Sequence, residues 1–374
     1  MLLALLLACD PPAPTFVDKT MIEKAHIHGD LYIICAGLTM KDESTRGFAA
    51  DTLTTMEPAP ACLCEHMIRD GAWDLPVVRS MAKGQDDAHV GCAATLLDKP
   101  ELTDRAGLVN QLARIKVPAV QARIVTAAKG DADPAVRAAA MAVLRPAKNP
   151  DDLALVTAAL SDTNPALRAA AATALVGVDG ATESLVAAAK DPDAAVRVAA
   201  ITALKGTARF AEVACPVLKA DPDPAARASV AAAFQGTKDP AALACLREHM
   251  LEQEDDGLVR AAMLGALRKT RAPEAAQTLC DAIPFWVKTY IGEDKPEREG
   301  PSDIIFAQND RDFEKSWECV QKAVRAGGYK TCEQRFYVND WFSELGGGNP
   351  KPRPCKMPAG SGGGGGGGGG EIVF

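Results

Sequence analysis

The 374-residue sequence predicts an all-α architecture: antiparallel helix pairs stacked into an α-solenoid, closed by an irregular, aromatic-rich C-terminal cap. Three observations lead there. Nearly a fifth of the chain is alanine while aromatic residues make up 5 %. That bias favours closely approaching helices over sandwiches or barrels, which draw on aromatic and β-branched side chains. A unit of about thirty residues recurs along the chain, the mark of a repeat architecture. Each copy sets Asp or Asn before a stretch of helical apolar period, with Arg four residues later.

Taken in order, the chain opens on Met1–Cys9, MLLALLLAC. Seven apolar residues ending in Leu6-Leu7-Ala8-Cys9 resemble a bacterial lipoprotein signal peptide, although only Met1 precedes the apolar run. The resemblance implies removal of residues 1–8, lipid attachment at Cys9 and a soluble body tethered to a membrane. The localisation it implies is the cell envelope, facing an oxidising compartment such as the periplasm or cell surface. No apolar run reaches the ~20 residues that a spanning helix needs. Residues 9–29, rich in proline at the start, read as a linker.

Residues 30–118 read as degenerate repeats. One copy is visible at Asp42-Glu-Ser-Thr-Arg46, and another at Asp87-Ala-His-Val-Gly91, where the arginine is lost. Residues 119–282 carry the regular copies, pairing Asp133 with Arg137, Asn164 with Arg168, Asp193 with Arg197, Asp223 with Arg227 and Asp256 with Arg260. A short polar side chain there accepts the first free amides of a helix, and the proline that often follows suits the first helical position. Val136, Ala139, Ala140, Val143 and Leu144 then fall on or near one face. A second apolar segment, such as 153–160, precedes each Asp-rich turn, so the unit is helix, turn, helix. One such pair cannot bury its apolar face alone, and pairs therefore stack.

This pattern resembles the HEAT-like repeats, in the short form of about thirty residues also seen in phycobilin lyases. The resemblance implies that the second helix of each pair lines a concave face. It also implies that the aspartates and arginines form a structural ladder between repeats.

Residues 283–345 change character, with 11 of the 18 aromatic residues between 285 and 342. They read as a cap over the last repeat, with 312–326 as one amphipathic helix ended by Gly327-Gly328. Residues 346–374 turn to Gly and Pro, including nine consecutive glycines, a composition that cannot offset its ordering entropy by burial.

Apart from Cys9 there are ten cysteines: Cys35, Cys62, Cys64, Cys92, Cys215, Cys245, Cys280, Cys319, Cys332 and Cys355. An even number suits disulfides in an oxidising compartment. Cys35 to Cys64, Cys62 to Cys92 and Cys215 to Cys245 are each about one repeat apart, and Cys319 with Cys332 is a further candidate pair. The connectivity stays open.

No phosphate-binding glycine loop, nucleophile elbow or His-Glu-x-x-His helix is present in the sequence. Cys62-x-Cys64-x-His66 has donors for zinc or copper at a spacing looser than a zinc ribbon, and no metal or cofactor is assigned. The net charge of −8 and the ten basic against twelve acidic residues in 131–236 argue against nucleic acid. The expectation is a non-catalytic scaffold lipoprotein that binds protein partners and meets the membrane through its lipid alone, with no small-molecule substrate. The alternatives are a lyase-type or metal-dependent enzyme module on the same scaffold, or a purely structural envelope spacer.

Overall fold

The computed structural model describes residues 14–84, 86–144, 146, 150–252, 254–290, 318–319, 321–322, 325–330 and 334–335. Cys9 and the leader, Cys332, Cys355, most of the aromatic cap and the Gly-rich tail lie outside the described residues.

The chain divides into two units, 1–175 and 176–374. The first holds α1 (Lys19–His28), α2 (Leu31–Gly37), α3 (Glu43–Leu53), α4 (Ala61–Glu65), the strands β1 (Ile68–Arg69) and β2 (Ala72–Trp73), α5 (Leu75–Met81) and α6 (Asp87–Val90). A 3₁₀ helix (Gly91–Asp98), α7 (Arg105–Leu112), α8 (Pro118–Gly130), α9 (Pro134–Val143), α10 (Pro150–Ala159) and α11 (Pro165–Ala174) complete it. The second holds α12 (Thr182–Ala188), α13 (Ala194–Ala203), α14 (Phe210–Ala220), α15 (Pro224–Ala233), α16 (Pro240–Met250), α17 (Gly257–Lys269) and α18 (Pro273–Tyr290).

Each unit is a solenoid of helix pairs. In the first, the second helices of successive pairs, α3, α5, α7, α9 and α11, pack in sequence, and in the second α13, α15 and α17 do the same. The first helices form the other layer, with α8 on the 3₁₀ helix and α14, α16 and α18 in series. The core between layers is aliphatic and small: Val136, Ala140, Met141, Val196, Ala200, Ile201, Val230 and Ala231 are buried. The Phe210 and Phe234 rings meet 4.9 Å apart in the second unit. The many buried alanines let axes approach, which is why the chain needs so few aromatic residues.

The N-terminal boundaries of the second helices are chemical. Asp133, Asn164, Asp193, Asp223 and Asp256 each accept the amide two residues on, at 2.8–2.9 Å. Each is extended in backbone, as an N-cap requires.

Four features depart from the sequence reading. Residues 19–28, inside the expected linker, form α1, capped by Asp18 through the Met21 amide at 2.8 Å. Only Ile22 and Ala25 of that helix are buried, so its pattern carries little amphipathic signal. The copy at Asp87–Gly91 is in the first-helix layer, not the second, so its missing arginine is a matter of register. A small hairpin joins α4 to α5, turning at Asp70 (φ 51°) and Gly71 (φ 79°). Asp-Gly is the dipeptide that a two-residue turn with both φ positive prefers. Finally, α18 runs through the expected boundary at 282/283 and carries the aromatic sequence back into the solenoid. Trp286 is 1 % exposed and donates its Nε1 hydrogen to the Met250 carbonyl at 3.1 Å. The described parts of 318–326 are helical, and Gly327 and Gly328 follow with positive φ.

Candidate functional site

The repeated arginines are held inside the stack. Arg137 donates to the Asp131 carbonyl at 2.7 Å, Arg168 to the Asp162 carbonyl at 2.9 Å, Arg197 to the Asp191 carbonyl at 2.9 Å and Arg227 to the Asp221 carbonyl at 2.7 Å. Arg260 reaches the Glu254 carbonyl in the same way, and Arg46 that of Met40 at 3.0 Å. In every case the acceptor lies six residues earlier, so each guanidinium ties off the turn that leads into its own helix.

The rest of the fork reaches the following repeat. Arg46 meets Asp74 at 2.7 Å, Arg105 meets Asp131 at 2.7 and 3.0 Å, Arg197 meets Asp221 at 2.6 and 2.7 Å, and Arg227 meets Glu254 at 2.8 and 3.2 Å. The two-point contacts of Arg105, Arg197 and Arg227 suit the guanidinium fork. For Arg105, Arg197 and Arg227 the acidic partner is not the N-cap but stands two residues before it. The same carboxylate also accepts the N-cap amide, as Asp131 does from Asp133, Asp221 from Asp223 and Glu254 from Asp256, each at 3.0 Å. Arg46 instead meets the N-cap of α5, Asp74. Sequence reading missed Asp131, Asp221, Glu254 and Arg105. The available signal was an acid recurring six residues before each of the five regular arginines, Arg137, Arg168, Arg197, Arg227 and Arg260.

Burial alone would raise the carboxyls of Asp131, Asp221 and Glu254. Their arginine partners and the N-cap amides outweigh it and hold all three below the ordinary range. Glu254 also lies 3.0 Å from His249 Nε2, so it gathers a guanidinium, an imidazole and an amide.

The cysteines staple the first-helix layer. Cys35 is bonded to Cys62, Cys64 to Cys92 and Cys215 to Cys245, each with Cα atoms 5.9 Å apart. Cys280 is bonded to Cys319, with Cα atoms 4.7 Å apart. Two of these differ from the one-repeat spacings considered above: Cys62 and Cys64 lie in the same short helix, and each turns to the nearer neighbour. Cys319 is taken by Cys280 rather than Cys332. The disulfides also occupy both sulfurs of the Cys62-x-Cys64-x-His66 motif, leaving it no thiolate for a metal.

His89, Glu57 and Asp86 bring three metal-type donors within 4.8 Å of one another. His89 is 4 % exposed; its Nδ1 lies 2.8 Å from Asp86 and its Nε2 2.6 Å from the Met56 carbonyl. Both neighbours are acceptors, an arrangement that the imidazolium satisfies by donating from both ring nitrogens. A metal would need one of them as a lone pair. The Met56 carbonyl first, then Asp86, raise the His89 pKa above 6.5.

With the arginines and these cysteines engaged in the stack, the second helices within each unit present small side chains outward. Ala138 and Ala142 on α9, Ala169 and Thr173 on α11, Val198 and Thr202 on α13, Ala228 and Ala232 on α15, and Ala261 and Gly265 on α17 are all partly or fully exposed. They lie four residues apart on each helix, hence on one face. In the second unit a groove of about 530 Å³ opens between the loops after α13 and α15, lined by Lys205, Gly206, Thr207, Gly236 and Lys238. Lys205 spans those loops, donating to the Gln235 carbonyl at 2.8 Å.

Comparison with known proteins bears on the repeat. Among solved structures the chain is similar to an engineered protein, at 19 % identity and TM-score 0.34, covering 85 % of this chain and 100 % of that one. It is also similar to a structure described for tubulin recruitment and assembly by microtubule polymerases with tumor overexpressed gene domain arrays. That match has 9 % identity and TM-score 0.23, covering 87 % of this chain and 97 % of that one. No curated protein matches the chain. The family model for HEAT repeats matches residues 93–176, 153–220 and 211–284, together just over half of the sequence. With the paired helices, the capped turns and the arginine rungs, this places the chain in the HEAT repeat family.

Proposed function

We propose that this protein is a non-catalytic scaffold of the bacterial cell envelope, tethered through lipid on Cys9, that offers the second-helix face of its repeats to a protein partner. The observation that carries the reading is the division of labour in the repeat. Its recurrent charged side chains are spent on the stack, and the outward face is built of Ala, Thr, Val and Gly. Such a face lets another backbone or helix come close at little entropic cost, because small side chains have few rotamers to lose. The disulfides between consecutive repeats support an oxidising compartment.

Two measurements test the reading. Mass spectrometry of the mature N-terminus should find acylated Cys9, and an unprocessed chain would remove the anchor. Cross-linking in cells followed by affinity isolation should recover a stoichiometric partner, lost when Ala228→Arg places a long cation on the face without lowering Tm. Stoichiometric metal with substrate turnover, and no partner, would instead favour an enzyme module.

A further inference from the structure

The first helix pair has an unusual surface for the end of a stack. A terminal repeat has one face with no neighbour, and a polar outer surface normally resolves that. Here six large hydrophobic side chains are exposed among the described residues, and four of them fall between positions 16 and 32. Phe16 is 66 % exposed, Ile27 77 %, and Leu31 and Tyr32 40 % each. Ile27 stands on the side of α1 away from the buried Ile22 and Ala25, since two residues along a helix is a turn of about 200°. Leu31 and Tyr32 follow directly across the Gly29-Asp30 turn. Scattered exposed hydrophobes need no explanation, but a concentration of this kind marks a contact surface.

We infer that the exposed apolar side chains of this segment, Phe16 ahead of α1 and Ile27, Leu31 and Tyr32 around the turn from α1 to α2, lie against the lipid bilayer that holds Cys9, laying α1 along the membrane surface. The inference rests on the lipid anchor proposed above. Six residues, 10–15, separate Cys9 from Phe16, so even fully extended chain keeps Phe16 within about 25 Å of the acylated residue. Charge agrees. The chain carries −8 overall, whereas residues 14–41 balance Lys19, Lys24 and Lys41 against Asp18, Glu23 and Asp30. An anionic surface therefore repels this segment less than it repels the chain as a whole. Side chains of this size enter the headgroup and acyl boundary by about 5–10 Å, enough to fix an orientation once a lipid chain supplies the affinity.

The test uses full-length protein produced with its leader in a bacterial host and reconstituted in phosphatidylethanolamine vesicles with a minority of phosphatidylglycerol. Ile27→Trp and Thr126→Trp are compared with and without brominated acyl chains, Thr126 being exposed on α8 several helix pairs further along the first unit. The expected result is bromine quenching about threefold or more stronger at position 27 than at 126, with a blue shift on vesicle addition, as shallow burial of an apolar face requires. Acylated Cys9 with equal, weak quenching at both positions overturns the hairpin contact and leaves the anchor intact. A chain without acyl groups removes the anchor and the inference with it. Blue-shifted emission from the Ile27→Trp variant before vesicles are added, with residues 1–8 retained, assigns the patch to the chain's own leader and overturns the membrane contact.

Discussion

Arg197→Met is the sharpest test of how the stack is held. The side chain is 13 % exposed and its partner Asp221 3 %, with two contacts of 2.6 and 2.7 Å and two further bonds to the Asp191 and Pro192 carbonyls at 2.9 and 2.8 Å. An exposed ion pair is worth about 0–1 kcal/mol, whereas removing one partner of a buried pair costs about 3–5 kcal/mol because the other charge is stranded. The exposures put this rung near the second case, so a loss of about 3 kcal/mol is expected. That corresponds to a Tm drop of about 6–12 °C for a body of this size. Asp221→Asn keeps an acceptor for the Asp223 amide, so it isolates the charge. The double variant should be about 2 kcal/mol less damaged than the sum of the singles. Thermal and urea unfolding followed by circular dichroism measure this, with hydrogen exchange at α13 and α15 reporting the local effect. pH adds a second readout. A carboxyl held below its ordinary 3.8 contributes stability that is present above that value and lost as pH falls through the lowered one, so Arg197→Met should flatten the acid limb. Additive effects within about 0.5 kcal/mol would refute the reasoning, since uncoupled sites behave that way.

Other expectations follow from single contacts. Gly236 has φ +74° with open space around it, so Gly236→Ala should cost about 1–2 kcal/mol from backbone strain alone. Gly130, at ordinary φ in equally open space, should tolerate Ala with no loss by thermal denaturation. His89→Gln should cost about 2 kcal/mol at pH well below 6.5, where the stability contributed by the raised pKa is fully present. Because the folded pKa is raised, the wild-type advantage should fade as pH climbs through it, and a pH-independent difference in Tm would count against the clamp. Reducing Cys35–Cys62, which closes a separation of 27 residues, should cost about 3–4 kcal/mol on the chain-entropy account, read from Cys35→Ser in oxidising buffer.

What could be read from the sequence was local. Asp133, Asp193 and Asp223 announce helix starts because an N-cap and the residues it serves are neighbours in the chain. Arg137 and its counterparts stand out for the same reason, at a fixed offset. The rung acids escaped notice because their partner sits a whole repeat away and the position accepts either Asp221 or Glu254. Arg105 was hidden further: it follows its cap Asp104 directly, out of register with the other copies. The Asp70-Gly71 turn was legible and overlooked. Helix α1 was not, since Ile22 and Ala25 alone do not make a periodic pattern. The candidate face of small residues emerged only once the arginines between them were seen to point back into the turns.

Three of the disulfides among the described residues tie elements of the first-helix layer to one another and the fourth ties α18 of that layer to Cys319, whereas second helices meet one another through side-chain packing and guanidinium rungs. A body fastened covalently along one margin bends unequally, as a watch strap does. Its riveted edge holds a fixed length, and compliance is left to the opposite edge. Within the second unit, then, strain would be absorbed on the side that carries Ala228 and its neighbours, and reduction of the sulfur bridges would loosen the opposite margin.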